Sequence, residues 1–490
     1  MIDLAPFRLA LGLVLALTLV RLAALIATGL ELHGDEAQYW SWAQELDFGY
    51  FTKPPLIAWI IAATTSVCGD GEACVRASSP LLHAVTALVL YGLGRSMVAG
   101  STGRWVGFWA AALWITLPSV AFSSLLVSTD VPLLASWAIA VAGLRRLLDT
   151  RSWGWAVVTG LAIGFGLLAK YAMAYALIGF ALHLTFSRDD RWILRDPCGL
   201  LVAVLALLVL APNLVWNAFN DFATVGHLSD NANLGAERMF KITEVASFLG
   251  QQAGVFGPIP FLILVWRVIA WVQGQSSPAE RFLLAFALPP LIVVTVQAFL
   301  SRANANWAAT AYPTATVLVA LWLVTSAPRW ARLWTVGPHL LASLVFVLLI
   351  ALWPSWRIEA TERSFARLEG WRTMAEQLRP VLLTQGDLPI LMSDRMTMAA
   401  LLYYLRDQIG GDKRAVLMWD WNRVPEHHYE MAVPYHRTPA DPVMLITDWT
   451  DPRPILSQFE QAEPITTLSV TRLGRTKRLE VWALGGYRGE

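Results

Sequence analysis

Eleven apolar runs follow one another in this 490-residue chain, at 7–30, 77–97, 105–122, 131–148, 154–169, 171–186, 199–219, 246–270, 281–300, 307–326 and 331–353. A bilayer's hydrocarbon core is ~30 Å thick, so a helix rising 1.5 Å per residue needs about 20 apolar residues to cross it. Inside lipid, each backbone N–H and C=O must find its partner within the protein, and a helix provides that within one run. A polytopic α-helical membrane protein with about eleven transmembrane helices is therefore expected. The composition agrees: 56% of residues are hydrophobic, 15% are charged and the mean hydropathy is +0.50, a balance soluble domains rarely reach.

The first run is too long for the apolar core of a signal peptide, and no small-residue cleavage site follows it, so it reads as a retained helix. The segment 56–67 is apolar but too short to cross, which suits an interfacial or re-entrant helix. A net charge of +1, without a basic tract, zinc-ligand spacing or glycine-rich phosphate loop, argues against a nucleic-acid partner.

Lys and Arg are retained on the cytoplasmic side. Alternate connections hold Arg95 and Arg104; Arg145, Arg146 and Arg151; Arg188, Arg191 and Arg195; Arg267 and Arg281; and Arg329 and Arg332, with Arg8 at the N-terminus. The opposite connections hold only Lys53, Arg76, Lys170, Arg238, Lys241 and Arg302. This bias places the loop 31–76 and the tail 355–490 outside. The tail loses the apolar runs and reads as a soluble α/β domain joined to the membrane domain, 1–354, by "WPSW". In it "RSFARLEGWRTMAEQLRPVLL" and "MTMAALLYYLRD" have helical spacing, while "PILMSD", "AVLMWD" and "PVMLITDW" read as short buried strands. In the outer loop, "CGDGEAC" brings Cys68 and Cys74 across a turn, where an oxidising compartment permits a disulfide; two independent thiols are the alternative. Cys198 reads as packing.

Charged groups near the outer ends of the helices are few, and a charge there is costly unless paired or hydrated. Asp35 and Glu36 stand in "HGDEAQYWSWAQEL", either as an ordinary loop start with a helix cap or as functional carboxylates. Lys53 follows in "YFTKPP", so a carboxylate and an ammonium share one loop, suited to an acceptor proton and an anionic phosphate. Asp130, in "SSLLVSTDVPLL", could cap a helix or face a cavity. Lys170 in "GLLAKYAM" has almost no loop around it; it must snorkel, pair or bind an anion, and anion binding is the favoured reading. Arg302 in "FLSRANANWAATAYP" suits bidentate phosphate contact, beside Asn306. These groups describe a cavity opening at the membrane surface, compatible with an enzyme acting on lipid-linked substrate or with a transporter.

"GDEAQYW", "GYFTKPPL", "STDVPLL", "GFGLLAKY" and "NWAATAYP", in this order, resemble the GT-C fold of polyprenyl-phosphate-sugar-dependent glycosyltransferases, in particular the bacterial lipid A aminoarabinose transferases and the protein O-mannosyltransferases. The resemblance covers about residues 1–325; in the tail, "GWRTMAEQL" and "HHYEM" are similar to stretches in bacterial members. It implies a GT-C fold with interfacial helices in the first outer loop and an active site and C-terminal domain on the periplasmic side of a bacterial inner membrane. It further implies Asp35 at the reaction centre with Glu36 as the second acid, and Lys53, Arg302 and Lys170 near the donor phosphate. Asp130, Tyr50, Asn306 and His33 would line the cavity. The implied partners are a polyprenyl-phosphate sugar, a lipid A, lipopolysaccharide or other envelope acceptor, and the bilayer itself. The implied reaction is an inverting transfer. No cofactor is assigned and a divalent metal is left open. Thr52 stands where aminoarabinose transferases often carry an acid, which speaks against aminoarabinose and against a metal held by that acid.

Overall fold

A computed structural model of the protein describes residues 4–232, 241–353, 368–472 and 474–489. The junction at 354/355, the beginning of the helix expected from 363, and Arg238 lie outside the described residues. The chain divides into two compact units: Met1–Ala27, Lys53–Ile60 and Arg76–Ala351 form the first, and Thr28–Thr52, Ile61–Val75 and Leu352–Glu490 the second. Most of the loop 31–76 thus groups with the C-terminal residues.

In the first unit the expected apolar runs fall mainly on helix, although fewer than the eleven expected are long and apolar enough to span, and the run 105–122 is broken between Gly100–Thr116 and Pro118–Ser123. Among the described residues, seven helices are long and apolar enough to cross a membrane, or eight if the bent pair below counts as one span: Ala5–Ala27, Glu72–Met97, Asp130–Thr150, Pro197–Phe219, Pro278–Leu300, Ala305–Thr325 and Arg329–Ala351. Shorter apolar helices occupy Leu56–Cys68, Trp153–Ala169 and Tyr171–Phe186, and Gly100–Thr116 is a further helix. A further expectation is corrected. The run 246–270, read as a single span, is two helices, Ile242–Phe256 and Pro258–Val272, bent by 116°. The break is at Gly257, whose φ of 88° is open to glycine, and Pro258 after it cannot donate the hydrogen bond that would carry the helix through. Apolar character continues across both residues, so hydropathy alone does not reveal the bend.

Small residues set how closely these helices pack. A Cβ on Gly107 would come within 2.5 Å of the Tyr91 carbonyl oxygen, and one on Gly160 within 2.8 Å of the Val202 carbonyl oxygen, so the backbones meet where only glycine fits. Trp114, Trp137, Phe282 and Phe286 fill the core. Arg21 lies inside the first apolar helix and is 1% exposed. Its guanidinium donates to the Ile115 carbonyl at 2.5 Å and to the hydroxyls of Ser124 and Ser343 at 3.2 and 3.3 Å. Ile115 is in the last turn of Gly100–Thr116, ahead of Pro118, where a helix carbonyl lacks an intrahelical donor and the dipole favours a cation.

In the second unit a sheet of order β2-β1-β3-β5-β4 is formed by β1 (Ile390–Met392), β2 (Val416–Met418), β3 (Val443–Thr447), β4 (Phe459–Arg472) and β5 (Arg475–Tyr487). β1 pairs parallel with β2 and β3, while β3–β5 and β5–β4 are antiparallel. The three expected short strands are β1–β3, and the two expected helices appear as Trp371–Thr384 and Arg395–Tyr404. The β4–β5 hairpin is not among the expected elements. β4 is exposed along most of its length and carries Pro464 at a register shift, so it lacks a strand's apolar alternation and reads as polar linker. The α/β expectation holds for the parallel half of the sheet, to which the hairpin adds an antiparallel half.

Candidate functional site

In the first unit, three helix ends deliver one polar cluster. Asp130 is the first residue of Asp130–Thr150; Thr129 is the cap residue, with no side-chain bond to the helix, so the Asp130 carboxylate is not spent on capping. Its Oδ1 accepts from the Lys170 ammonium at 2.7 Å and its Oδ2 from the Asn306 amide at 2.6 Å. Lys170 stands in extended backbone where the helix Trp153–Ala169 stops, and Asn306 in the short 3₁₀ turn Ala305–Ala311. Lys53 adds a second favourable charge interaction with Asp130. The pair is mostly buried, with side chains 16% (Asp130) and 23% (Lys170) exposed. Lys170 is thus held by a carboxylate. Arg302 is exposed and has no ion-pair partner among the described residues. One carboxylate against Lys170 and Lys53 leaves this cluster net positive, as an anion site requires.

In the second unit, the helix Gly34–Gln44 begins with a reciprocal cap. The His33 ring accepts from the Asp35 N–H at 3.2 Å, and the Glu36 carboxylate accepts from the His33 N–H at 2.9 Å. The cap is therefore His33, not Asp35, and Glu36, 3% exposed, is committed to it. Asp35 keeps a side chain 42% exposed, so of the two acids only Asp35 is open to a reacting group. Its Oδ1 accepts from the Arg395 guanidinium at 3.3 Å, and the same Arg395 nitrogen donates to Gln38 Oε1 at 2.6 Å.

Arg395 is the functional candidate that the sequence reading misses. It lies 360 residues from Asp35, and its own context, "SDRMT", is an ordinary helix start after a strand.

Tyr50 is 2% exposed and stacks on Trp42 with centroids 4.5 Å apart. Its hydroxyl donates to the Trp42 carbonyl at 2.9 Å, so it binds the loop to itself. Cys68 and Cys74 are joined by a disulfide, and Cys198 is buried. Beside the bridge, Asp70 accepts from the Trp40 indole at 2.7 Å through its carboxylate, and from the Tyr403 hydroxyl at 2.6 Å through its carbonyl. His428 meets Trp42 and Tyr50 edge-on, both at 5.4 Å, and burial pushes His427 and His428 each down to about 4. Among the described residues, no three His, Cys, Asp or Glu side chains converge as a metal site.

The chain has relatives among known proteins. The family model for dolichyl-phosphate-mannose-protein mannosyltransferase matches residues 52–216. The lipid A galacturonosyltransferase of Rhizobium johnstonii is 36% identical over 402 residues, covering 82% of this chain and 83% of that protein. An undecaprenyl phosphate-4-amino-4-deoxy-L-arabinose arabinosyl transferase of Photorhabdus laumondii is 24% identical over 51% of this chain and 46% of its own. Among solved structures, ArnT from Cupriavidus metallidurans bound to undecaprenyl phosphate superposes with a TM-score of 0.62 at 17% identity, covering 98% of both chains. At that identity the likeness is one of fold.

Proposed function

The chain belongs to the GT-C fold glycosyltransferases, and we propose that it moves a uronic acid, galacturonate in the first instance, from a polyprenyl phosphate to lipid A or the adjoining lipopolysaccharide. The observation that carries this reading is the 36% identity to a lipid A galacturonosyltransferase along four-fifths of both chains. The likeness to an undecaprenyl-phosphate-bound fold supports a polyprenyl carrier. The excess of arginines on one set of connections supports a periplasmic site in the inner membrane.

The proposed step is a single displacement at the anomeric carbon, with inversion. The acceptor oxygen forms its bond to C1 as the C1–O bond to the phosphate breaks, and the leaving phosphate keeps the electron pair. Little acid assistance is needed, because the leaving group is already a phosphate. Lys53, Lys170 and Arg302 stabilise its charge, and Asp130 with Asn306 holds the Lys170 ammonium in place. Asp35 takes the proton of an acceptor hydroxyl; for an acceptor that is itself an ionised phosphate, it positions instead.

Mass spectrometry of lipid A and core lipopolysaccharide, from cells with and without the protein and with Asp35→Asn, tests the reading. A mass difference of one hexuronosyl unit, present with the protein and lost in the variant, is the expected outcome. Unchanged acceptors with an altered sidedness of lipid-linked sugar would sink it in favour of transport.

A further inference from the structure

Each of the three parallel strands of the second unit runs into an aspartate: Asp394 after β1, Asp420 after β2 and Asp448 after β3. The first two are engaged. Asp394 accepts from the Thr397 N–H at 2.8 Å and starts the helix Arg395–Tyr404, while Asp420 pairs with His436. Asp448 lies at a different kind of place. Beyond β3 the sheet changes from parallel to antiparallel pairing, because β3 joins β5 on the side away from β1. A cavity of about 390 Å³ opens at the carboxyl end of β3 and the facing start of β5, lined by Trp371, Asp448, Trp449, Thr450, Lys477 and Arg478 among others, within the size range of small-ligand sites.

Its chemistry is that of sugar recognition. An indole face covers the C–H side of a pyranose, while a carboxylate and hydroxyls meet its ring hydroxyls. Asp448 accepts from the Thr397 hydroxyl at 3.1 Å, which leaves further acceptor positions on the carboxylate. Lys477 lies over the Trp371 ring, 5.1 Å from its centroid, and donates to the Glu369 carbonyl at 2.6 Å, which fixes both. Arg478 pairs with Glu480 at 2.7 Å yet is 64% exposed, and a guanidinium carries five donors. Glu480 lines the cavity as well and offsets part of the Arg478 charge, so an anionic substituent on the sugar would meet the remaining guanidinium donors and the Lys477 ammonium.

We propose that this cavity is a second saccharide site, which takes an anionic pyranose through the Trp449 indole, the Asp448 carboxylate and Arg478. The assignment rests on the glycosyltransferase reading. Two sources share the chemistry: a phosphorylated glucosamine of the acceptor and the uronate of the donor.

The test is saturation-transfer NMR on the full-length protein in detergent, with glucosamine 1-phosphate and galacturonic acid as separate probes. Binding is read without turnover, so failure of the transfer reaction and failure of this site are distinguishable. The expected result is binding of one probe, weakened about tenfold by Asp448→Asn and by Trp449→Ala and unaltered by Asp35→Asn. Preference for glucosamine 1-phosphate assigns the cavity to the acceptor, and preference for galacturonic acid to the donor. No binding of either probe at millimolar concentration overturns the proposal, as does binding that both variants leave unchanged. Asp448→Asn preserves shape, so it keeps the test decisive if the tryptophan variant does not fold.

Discussion

Two carboxylate–cation pairs in this molecule look alike on paper and differ in what they can do. Asp130–Lys170 is short, at 2.7 Å, and mostly buried; Asp35–Arg395 is longer, at 3.3 Å, with side chains 42% (Asp35) and 27% (Arg395) exposed. A pair taken out of water is firmly held, because each partner left alone would be an uncompensated charge. A pair still reached by solvent is screened, contributes little to stability and leaves the carboxylate able to exchange partners. The first pair can therefore fix the direction of an ammonium, and the second can surrender its acid to a proton.

The largest expected effect separates the two pairs directly. Asp35→Asn is expected to lower sugar transfer by ~10²–10⁴-fold, the contribution of a general base, with the thermal melt unchanged. Transfer at the wild-type rate from purified protein would remove Asp35 from the chemistry. Lys170→Met should cost stability as well as activity, on the order of 3 kcal/mol, because it strands the Asp130 carboxylate. Adding Asp130→Asn should recover most of the stability and none of the transfer; a double variant no more stable than the single one would show that the pair is not coupled.

A third expectation concerns pH. His428, neutral in the fold and held down to about 4, has an ordinary value near 6.5. The unfolded chain binds a proton there that the native one refuses, so this contribution is full above about 6.5 and is lost as pH falls toward 4, at about 1.4 kcal/mol per unit. Asp448, raised to about 6 by burial and by Asp394, acts in the opposite sense: its ionisation is penalised in the fold, so stability is gained as pH falls from about 6 toward its ordinary value. Melting curves against pH should therefore show a shallower acid loss in His428→Phe than in the wild type; superimposable curves would contradict the assignment. The smallest effect is expected for Arg395→Ala. Its stability cost should stay within about 1 kcal/mol, while kcat falls several-fold as Asp35 loses a partner. A loss as large as that of Asp35→Asn would make Arg395 part of the chemistry and not a positioning residue.

Much of the helical unit was legible because lipid allows few solutions. A run such as 199–219 can only be helix in hydrocarbon, and Pro197–Phe219 is what forms. The 116° bend at Gly257–Pro258 was not legible, since the hydropathy of both arms is the same and only the backbone conformation differs. Asp130, Lys170 and Arg302 stood out in sequence because isolated charges beside apolar runs are costly and so need a reason. That Lys170 and Asn306 should share the Asp130 carboxylate was beyond the sequence, because the three lie on separate elements up to 176 residues apart.

The local grammar of the chain determined its membrane class, its helices, the three short strands and the residues to suspect, because solvation and backbone hydrogen bonding act over a few residues at a time. Tertiary structure decided the partners. It assigned Glu36 to a cap and left Asp35 open, put Arg395 beside an acid from the first loop, and joined the hairpin β4–β5 to a sheet that its own residues barely announce. The cap is a contact over three residues that the sequence could have shown, whereas the Arg395 contact and the joining of the hairpin depend on distances between segments remote in sequence, and a charge or an edge strand carries no mark of the group that will satisfy it.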